Sequence, residues 1–257
     1  MVVRLANWKE TDMKINRLVL DLSHHETVQD WQAVKDAGIE GLIWKATQGQ
    51  SYHDDTYHKC KAKALEHGFL WGSYHFADGT SVSGQVNNYY HYARPEPGEL
   101  FCLDLEDNPD GTAMNLAQAR EFVEKIENLL GRPNQCVVYS GNTLKEMLGN
   151  TKSTFWGARR MWLAQYGTNP SVQKSWDTYW LWQYSDGEYG PQPHDVAGIS
   201  DAVDSNSFDG TPEELAEQWS GNEPTPAPGP EPSPDLPEVK ILITAPPNVK
   251  VVVTQLP

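Results

Sequence analysis

The feature that most limits how this chain folds is an alternation. Between residues 17 and 208, eight short runs rich in apolar, β-branched and aromatic residues recur, and those of the first half are separated by helical patterns. The runs are RLVLDLS (17–23), GLIWKAT (41–47), FLWGSYHFA (69–77), LFCLDLE (100–106), CVVYS (136–140), MWLAQY (161–166), TYWLWQY (178–184) and the irregular DAVDSNSF (201–208). After the first, Thr27 with Asp30 three residues on reads as the cap of a helix, whose Val28, Trp31 and Val34 share a face and which Gly38 stops. Further helices are predicted over 55–67, over 81–93 ahead of Pro95, and from the cap Asn115 to Leu130 and Gly131. Strands of buried type alternating with helices predict an α/β fold with a parallel sheet, and eight of them favour closure into a TIM-like (β/α) barrel over an open doubly wound sheet. The late connections are poor in helix.

The alternation occupies residues 17–221. Residues 1–16 form an extension that carries Arg4, Lys9, Glu10, Asp12 and Lys14, so it holds no continuous apolar stretch of the kind a signal peptide needs, and nowhere do 18 apolar residues follow one another. No signal peptide and no membrane insertion are expected. After Gly221 the composition changes: residues 222–237, NEPTPAPGPEPSPDLP, hold seven prolines and read as a semi-rigid linker. Residues 238–257 then hold two β-branched runs, VKILIT and VKVVVTQ, around Ala-Pro-Pro-Asn, a hairpin-like tail. A lone two-stranded hairpin is marginal in water, so the tail is expected to dock on its own domain, to make a homo-oligomer by edge pairing, or to be the stump of a longer module.

Charge narrows the partners. Twenty Lys and Arg against 35 Asp and Glu leave a net charge of −15, of which −13 falls in residues 1–221. Such a chain is repelled by nucleic acid. No GxGxxG or GxxxxGK[ST] follows a strand, no HExxH or CxxC occurs, and Cys60, Cys102 and Cys136 are an odd number, two of them inside apolar runs. No cofactor, metal or disulfide is expected.

In parallel α/β folds the chemistry gathers at the carboxyl ends of the strands. Polar residues there are Asp21, Lys45, Tyr74, Asp104, Glu106, Tyr139, Gln183 and Asp204. In Leu103-Asp104-Leu105-Glu106 the two-residue period of a strand puts both leucines on one face and both carboxylates on the other. Two like charges roughly 6–7 Å apart along a strand raise one pKa, as a general acid near neutral pH requires. Solvated acids at a strand end, or an ion pair with Lys45, fit the same pattern. Asp21 is equally readable as the cap of the following turn, and Trp162 as a core residue or a sugar-stacking ring. Paired carboxylates with aromatic and amide neighbours and no cofactor motif point to glycoside hydrolysis.

Taken in order, DLSHHE (21–26), GLIWKATQG (41–49), WGSYHFA (71–77), LDLE (103–106), VVYSG (137–141), WLAQYG (162–167), LWQYSDG (181–187) and VDSNSF (203–208) resemble glycoside hydrolase family 25, the Chalaropsis-type lysozymes that include many phage endolysins. The resemblance spans roughly residues 17–210. It implies an irregular β/α barrel and an N-acetylmuramidase of bacterial peptidoglycan that cuts the β-1,4 bond between N-acetylmuramic acid and N-acetylglucosamine. Carried over position by position, it implies Glu106 as general acid and Asp104 as the group that orients the substrate's N-acetyl group or stabilises a covalent intermediate. Asp21 and Asp204 then support them, while Tyr74, Tyr139, Trp162 and Gln183 resemble groove residues and Lys45 joins them in binding substrate. One departure is visible: Glu26 stands where the family's first motif often has Gln. The expected setting is a phage or prophage lysin, held in the host cytoplasm until lysis or carried on the virion. A non-catalytic glycan-binding or virion structural protein on the same barrel is the alternative.

Overall fold

A computed structural model describes residues 15–108 and 111–221. The extension before residue 15, the proline-rich linker and the tail lie outside the described residues. Nine strands form one sheet: β1 (Arg17–Leu22), β2 (Gly41–Gln48), β3 (Tyr52–His53), β4 (Leu70–Phe76), β5 (Leu100–Asp104), β6 (Val137–Ser140), β7 (Met161–Ala164), β8 (Leu181–Ser185) and β9 (Asp204–Ser207). Their order is β1-β9-β8-β7-β6-β5-β4-β2-β3, and a β1–β2 pairing closes eight of them into a barrel with the two-residue β3 hairpinned on β2. The α/β barrel is thus the fold.

Parallel pairing runs from β1 through β2, β4, β5, β6 and β7 to β8, as the alternation predicts. The last strand departs from that prediction: β9 is antiparallel to both β8 and β1. A parallel return needs a crossover, usually a helix, and the chain between β8 and β9 contains none, so it turns back on itself and closes the barrel from the opposite direction.

Seven helices accompany the described strands: α1 (Trp31–Asp36), α2 (Tyr57–Glu66), α3 (Val82–Ala93), α4 (Leu116–Leu130), α5 (Asn142–Leu148), α6 (Thr154–Gly157) and α7 (Pro212–Trp219). The cap of α4 is the one expected: Asn115 accepts from Ala117 and Gln118, Gln118 returns the bond, and Gly131 ends the helix at φ 65°. Helix α1 begins later than expected, with Asp30 and not Thr27 as its cap. Residues 27–30 are extended instead: Val28 bridges Ile199, and the amides of Gln29 and Asp30 both donate to Gly198 O. A tertiary contact outcompetes the local capping signal there. The connection between β6 and β7 holds two short helices, α5 and α6, while those after β7 and β8 have none.

Alternation along the strands sorts the core into two parts. Leu20, Leu42, Trp44, Phe101, Leu103, Val138, Leu163 and Trp182 pack outward against the helices. Their neighbours Val19, Ile43, Leu100, Cys102, Val137, Trp162 and Leu181 fill the lumen with Phe208, Leu215 and Trp219. Helix α7, started by a Thr211–Glu214 capping box with Pro212 in its first turn, lays Trp219 across the end of the barrel where the strands begin. Trp219 Nε1 donates to Trp71 O at 2.7 Å. A Cβ on Gly41 would stand 2.6 Å from the Trp219 ring, so only glycine fits there. One end is thereby sealed, and polar residues accumulate at the other.

Candidate active site

At the carboxyl ends of the strands lies a pocket of about 210 Å³ lined by Asp21, Glu26, Lys45, Tyr74, Phe76, Asp104, Glu106, Tyr139, Trp162 and Asp204, with Leu22, Ser23 and His25 at its edge. The structure therefore brings together all four acids and every expected binding residue except Gln183. That amide is buried beside the pocket, 1% exposed, with its side chain committed to the acids.

Asp104 is the last residue of β5, and its Cα partners are Phe76 on β4 and Tyr139 on β6. Glu106 lies beyond the strand expected to contain it. Leu105 keeps the alternation going nonetheless: its amide donates to Tyr139 O at 2.9 Å, its carbonyl accepts from Ser140 Oγ at 2.7 Å, and its side chain is buried among the outer core. Both carboxyls consequently reach the same pocket. Burial, then the charge of Glu106, push the Asp104 carboxyl well above its ordinary range against the pull of Lys45, with Asp21 and Asp204 adding to the rise. Its Oδ1 is buried and has no hydrogen-bond partner. Burial and Asp21 raise Glu106 to about 7, against the pull of Lys45. The two carboxyls line one pocket, and the charge of Glu106 disfavours that of Asp104, so they titrate as a pair.

A second pair sits across the barrel wall. Asp21 on β1 and Asp204 on β9 are register partners. Gln183 Nε2 donates to Asp21 at 3.0 and 3.1 Å and to Asp204 at 3.3 Å, and Asn206 Nδ2 donates to Asp21 at 2.7 Å. Burial lifts Asp21 only to about 6 because those two amides favour its charged form. Burial and the adjacent Asp21 lift Asp204 to about 9. Asp204 is then the protonated member near neutral pH and donates to an ionised Asp21.

The amides are themselves anchored. Tyr139 Oη donates to Gln183 Oε1 at 2.9 Å, Tyr166 Oη reaches the same atom at 3.3 Å, and Trp162 Nε1 donates to Asn206 Oδ1 at 2.6 Å. Trp162 and Tyr139 thus serve two ends, lining the pocket with their rings and orienting an amide with their polar atoms. Asn206 was missed in the sequence because the run DAVDSNSF is irregular and polar on both faces, which hides which of its residues share a face with Asp204. The period of two was the available signal, since Asn206 follows Asp204 as Glu106 follows Asp104. Glu26 Oε2 accepts from Ser23 N at 2.8 Å and from Ser23 Oγ at 3.3 Å, which folds its carboxylate back to the pocket edge. Among the described residues no group of three or more His, Cys, Asp or Glu side chains is placed to hold a metal ion, and no helix is long and apolar enough to cross a membrane.

Comparison with known proteins agrees with this geometry. The model of Glycosyl hydrolases family 25 matches residues 20–192. Lysozyme M1 of Streptomyces globisporus is 27% identical over an alignment of 216 positions that covers 75% of this chain and 67% of that protein. The autolytic lysozyme of Clostridium acetobutylicum is 26% identical over 193 residues, 74% of this chain and 55% of that protein. Among solved structures, the bacterial lysozyme of Streptomyces coelicolor is similar with a TM-score of 0.70 at 25% identity, over 82% of this chain and 100% of that one. With its closed mixed barrel and its four acids at the strand ends, the chain belongs to glycosyl hydrolase family 25 and is a glycoside hydrolase.

Proposed function

We propose that the chain is an N-acetylmuramidase that hydrolyses the β-1,4 bond between N-acetylmuramic acid and N-acetylglucosamine in bacterial peptidoglycan. The observation that carries this reading is the Asp104–Glu106 pair: one carboxyl titrates at about 7, and the other is buried in the same pocket with an oxygen left without a partner. Glu106 is the general acid. Its proton passes to the glycosidic oxygen as the C1–O bond breaks, and its carboxylate then takes a proton from the water that attacks C1.

Asp104 supplies the acceptor for the substrate's acetamido N–H. Burial favours the proton on Asp104. A hydrogen bond from the substrate favours the charged form of Asp104, and the proton moves to Glu106, where the reaction uses it. The acetamido carbonyl oxygen then closes on C1 from the face opposite the leaving group, and the positive charge that develops on the closed ring lies against the Asp104 carboxylate. Ionised Asp21, with Asp204 protonated beside it, sets the potential under this pair. The setting we infer is that of a phage or prophage lysin, in a family that includes many phage endolysins.

The test is reducing-end analysis of purified peptidoglycan digested by the wild type and by Glu106→Gln. New muramic-acid reducing ends with the wild type and none with the variant are expected. Ends on N-acetylglucosamine, or an undiminished rate in the variant, would refute the reading; tight binding with no new ends would leave a glycan-binding protein on the same barrel.

A further inference from the structure

Lys45 is the single lysine or arginine among the described residues lining the pocket. Its Nζ donates to Gln48 Oε1 at 2.7 Å and lies 4.8 Å from the centre of the Phe76 ring and 5.4 Å from that of Tyr52. An ammonium has three donors, and ring faces hold it by cation–π attraction without consuming one. Asp104 and Glu106 attract Lys45 through space, yet among the described residues it forms no direct ion pair. The head group is therefore fixed at the pocket wall with donors to spare.

The register shows which part of a substrate would reach it. Lys45 is the Cα partner of Tyr74 on β4, and two residues further along β4 Phe76 is the partner of Asp104. The strand of the cation thus lies two places along the sheet from that of the carboxyl proposed to receive the acetamido group, with β4 between them. On a muramyl ring the carbon next to the one bearing the acetamido group carries the 3-O-lactyl arm. An acetamido group held at Asp104 places that arm in the pocket that Lys45 also lines, where the charge of Asp104 already acts on the ammonium.

We propose that Lys45, framed by Phe76 and Tyr52, binds a carboxylate carried on the 3-O-lactyl arm of the muramyl residue. The proposal rests on the muramidase reading and deepens it by naming the substrate group that tells a muramyl residue from N-acetylglucosamine. The carboxylate has two sources of one chemistry: the lactyl acid itself where the glycan has lost its peptide, and the stem-peptide carboxylates where it has not. Tyr52 is contributed by the two-residue β3, so the hairpin after β2 has a use beyond lengthening the sheet.

Isothermal titration of the Glu106→Gln protein tests this with three ligands: a peptide-free oligomer of alternating N-acetylglucosamine and N-acetylmuramic acid, the same oligomer with its lactyl acids amidated, and an oligomer bearing stem peptides. Each is titrated into proteins that also carry Lys45→Met or Lys45→Arg, after their melting temperatures have been matched. Amidation is expected to weaken binding tenfold or more with Lys45 and with Arg at that position, and less than twofold with Met. A Lys45→Met loss confined to the peptide-bearing ligand assigns the stem carboxylate instead of the lactyl one. Equal losses for all three ligands, or none, overturn the proposal and leave Lys45 a tuner of Asp104 and Glu106. The muramidase reading fails separately, by the absence of muramic-acid ends from the wild-type digest.

Discussion

Asp21 and Asp204 face one another as partners in the antiparallel β1–β9 pair, and a single amide nitrogen, Gln183 Nε2, donates to both. One of the two carboxyls must hold a proton, and the amides decide which. Asn206 and Gln183 favour charge on Asp21, so the proton rests on Asp204.

Removing that amide should move the acid limb of the activity profile. Gln183→Met deprives Asp21 of one of its two amide donors, so its carboxyl rises from about 6. Ionised Asp21 then appears only at higher pH, and the acid limb of kcat/KM should shift upward by about one pH unit. A pH–rate profile that keeps its acid limb in the variant would dissociate Gln183 from the charge state of Asp21.

With Glu106 as the proposed general acid, the basic limb reports its titration. The general acid works only while protonated, so activity should fall as pH rises through about 7. Lys45 lowers that value, and Lys45→Met should therefore shift the basic limb upward while leaving the acid limb, which belongs to Asp21, nearly in place. Profiles of the wild type and the variant, measured on one peptide-free glycan, separate the two limbs.

The same acids burden the fold. Glu106 titrates at 4.5 in an unfolded chain and at about 7 in the folded one, so the folded state binds its proton more tightly. The contribution of Glu106 to stability is full below about 4.5 and is lost progressively as pH rises through about 7. Glu106→Gln removes a group that the folded state resists ionising, and should stabilise the protein by about 1–3 kcal/mol at pH 8 and by almost nothing at pH 4. Denaturant titrations at both values check it. Equal effects at the two would mean that the carboxyl is not strained by its burial.

Which parts of this were legible in the sequence follows from the range of the interactions. The alternation of strand and helix is local, and so are the Asn115 cap and the placing of Asp104 and Glu106 on one face; each was readable. The direction of β9 was not: the helix-poor late connections were visible, but the alternation alone does not separate a parallel return from the antiparallel closure that β9 makes with β8 and β1. The start of α1 was misread for the converse reason: Thr27 is a sound cap by itself, but Gly198, some 170 positions away, holds the chain extended. The dependence of Asp21 on Asn206 joins residues 185 positions apart and has no local trace.

The seal at the base of the barrel is the most distant support of the site. Trp219 is 1% exposed, fills the lumen beside Val19, Leu100 and Leu181, and donates to Trp71 O. Trp219→Ala empties the end of the barrel and leaves that buried carbonyl without its donor, so a loss of about 3–5 kcal/mol is expected. Because the acids lie at the opposite end, the surviving folded fraction should keep its pH profile while its melting temperature falls. Gly41→Ala tests the same contact from the other side: the added methyl meets the Trp219 ring at 2.6 Å and should destabilise the wild type. In a Trp219→Leu background the same methyl has room, and its cost should shrink to less than half. Additive losses in the double variant would place the strain elsewhere, and a changed pH profile would show that packing at the base reaches the carboxyls.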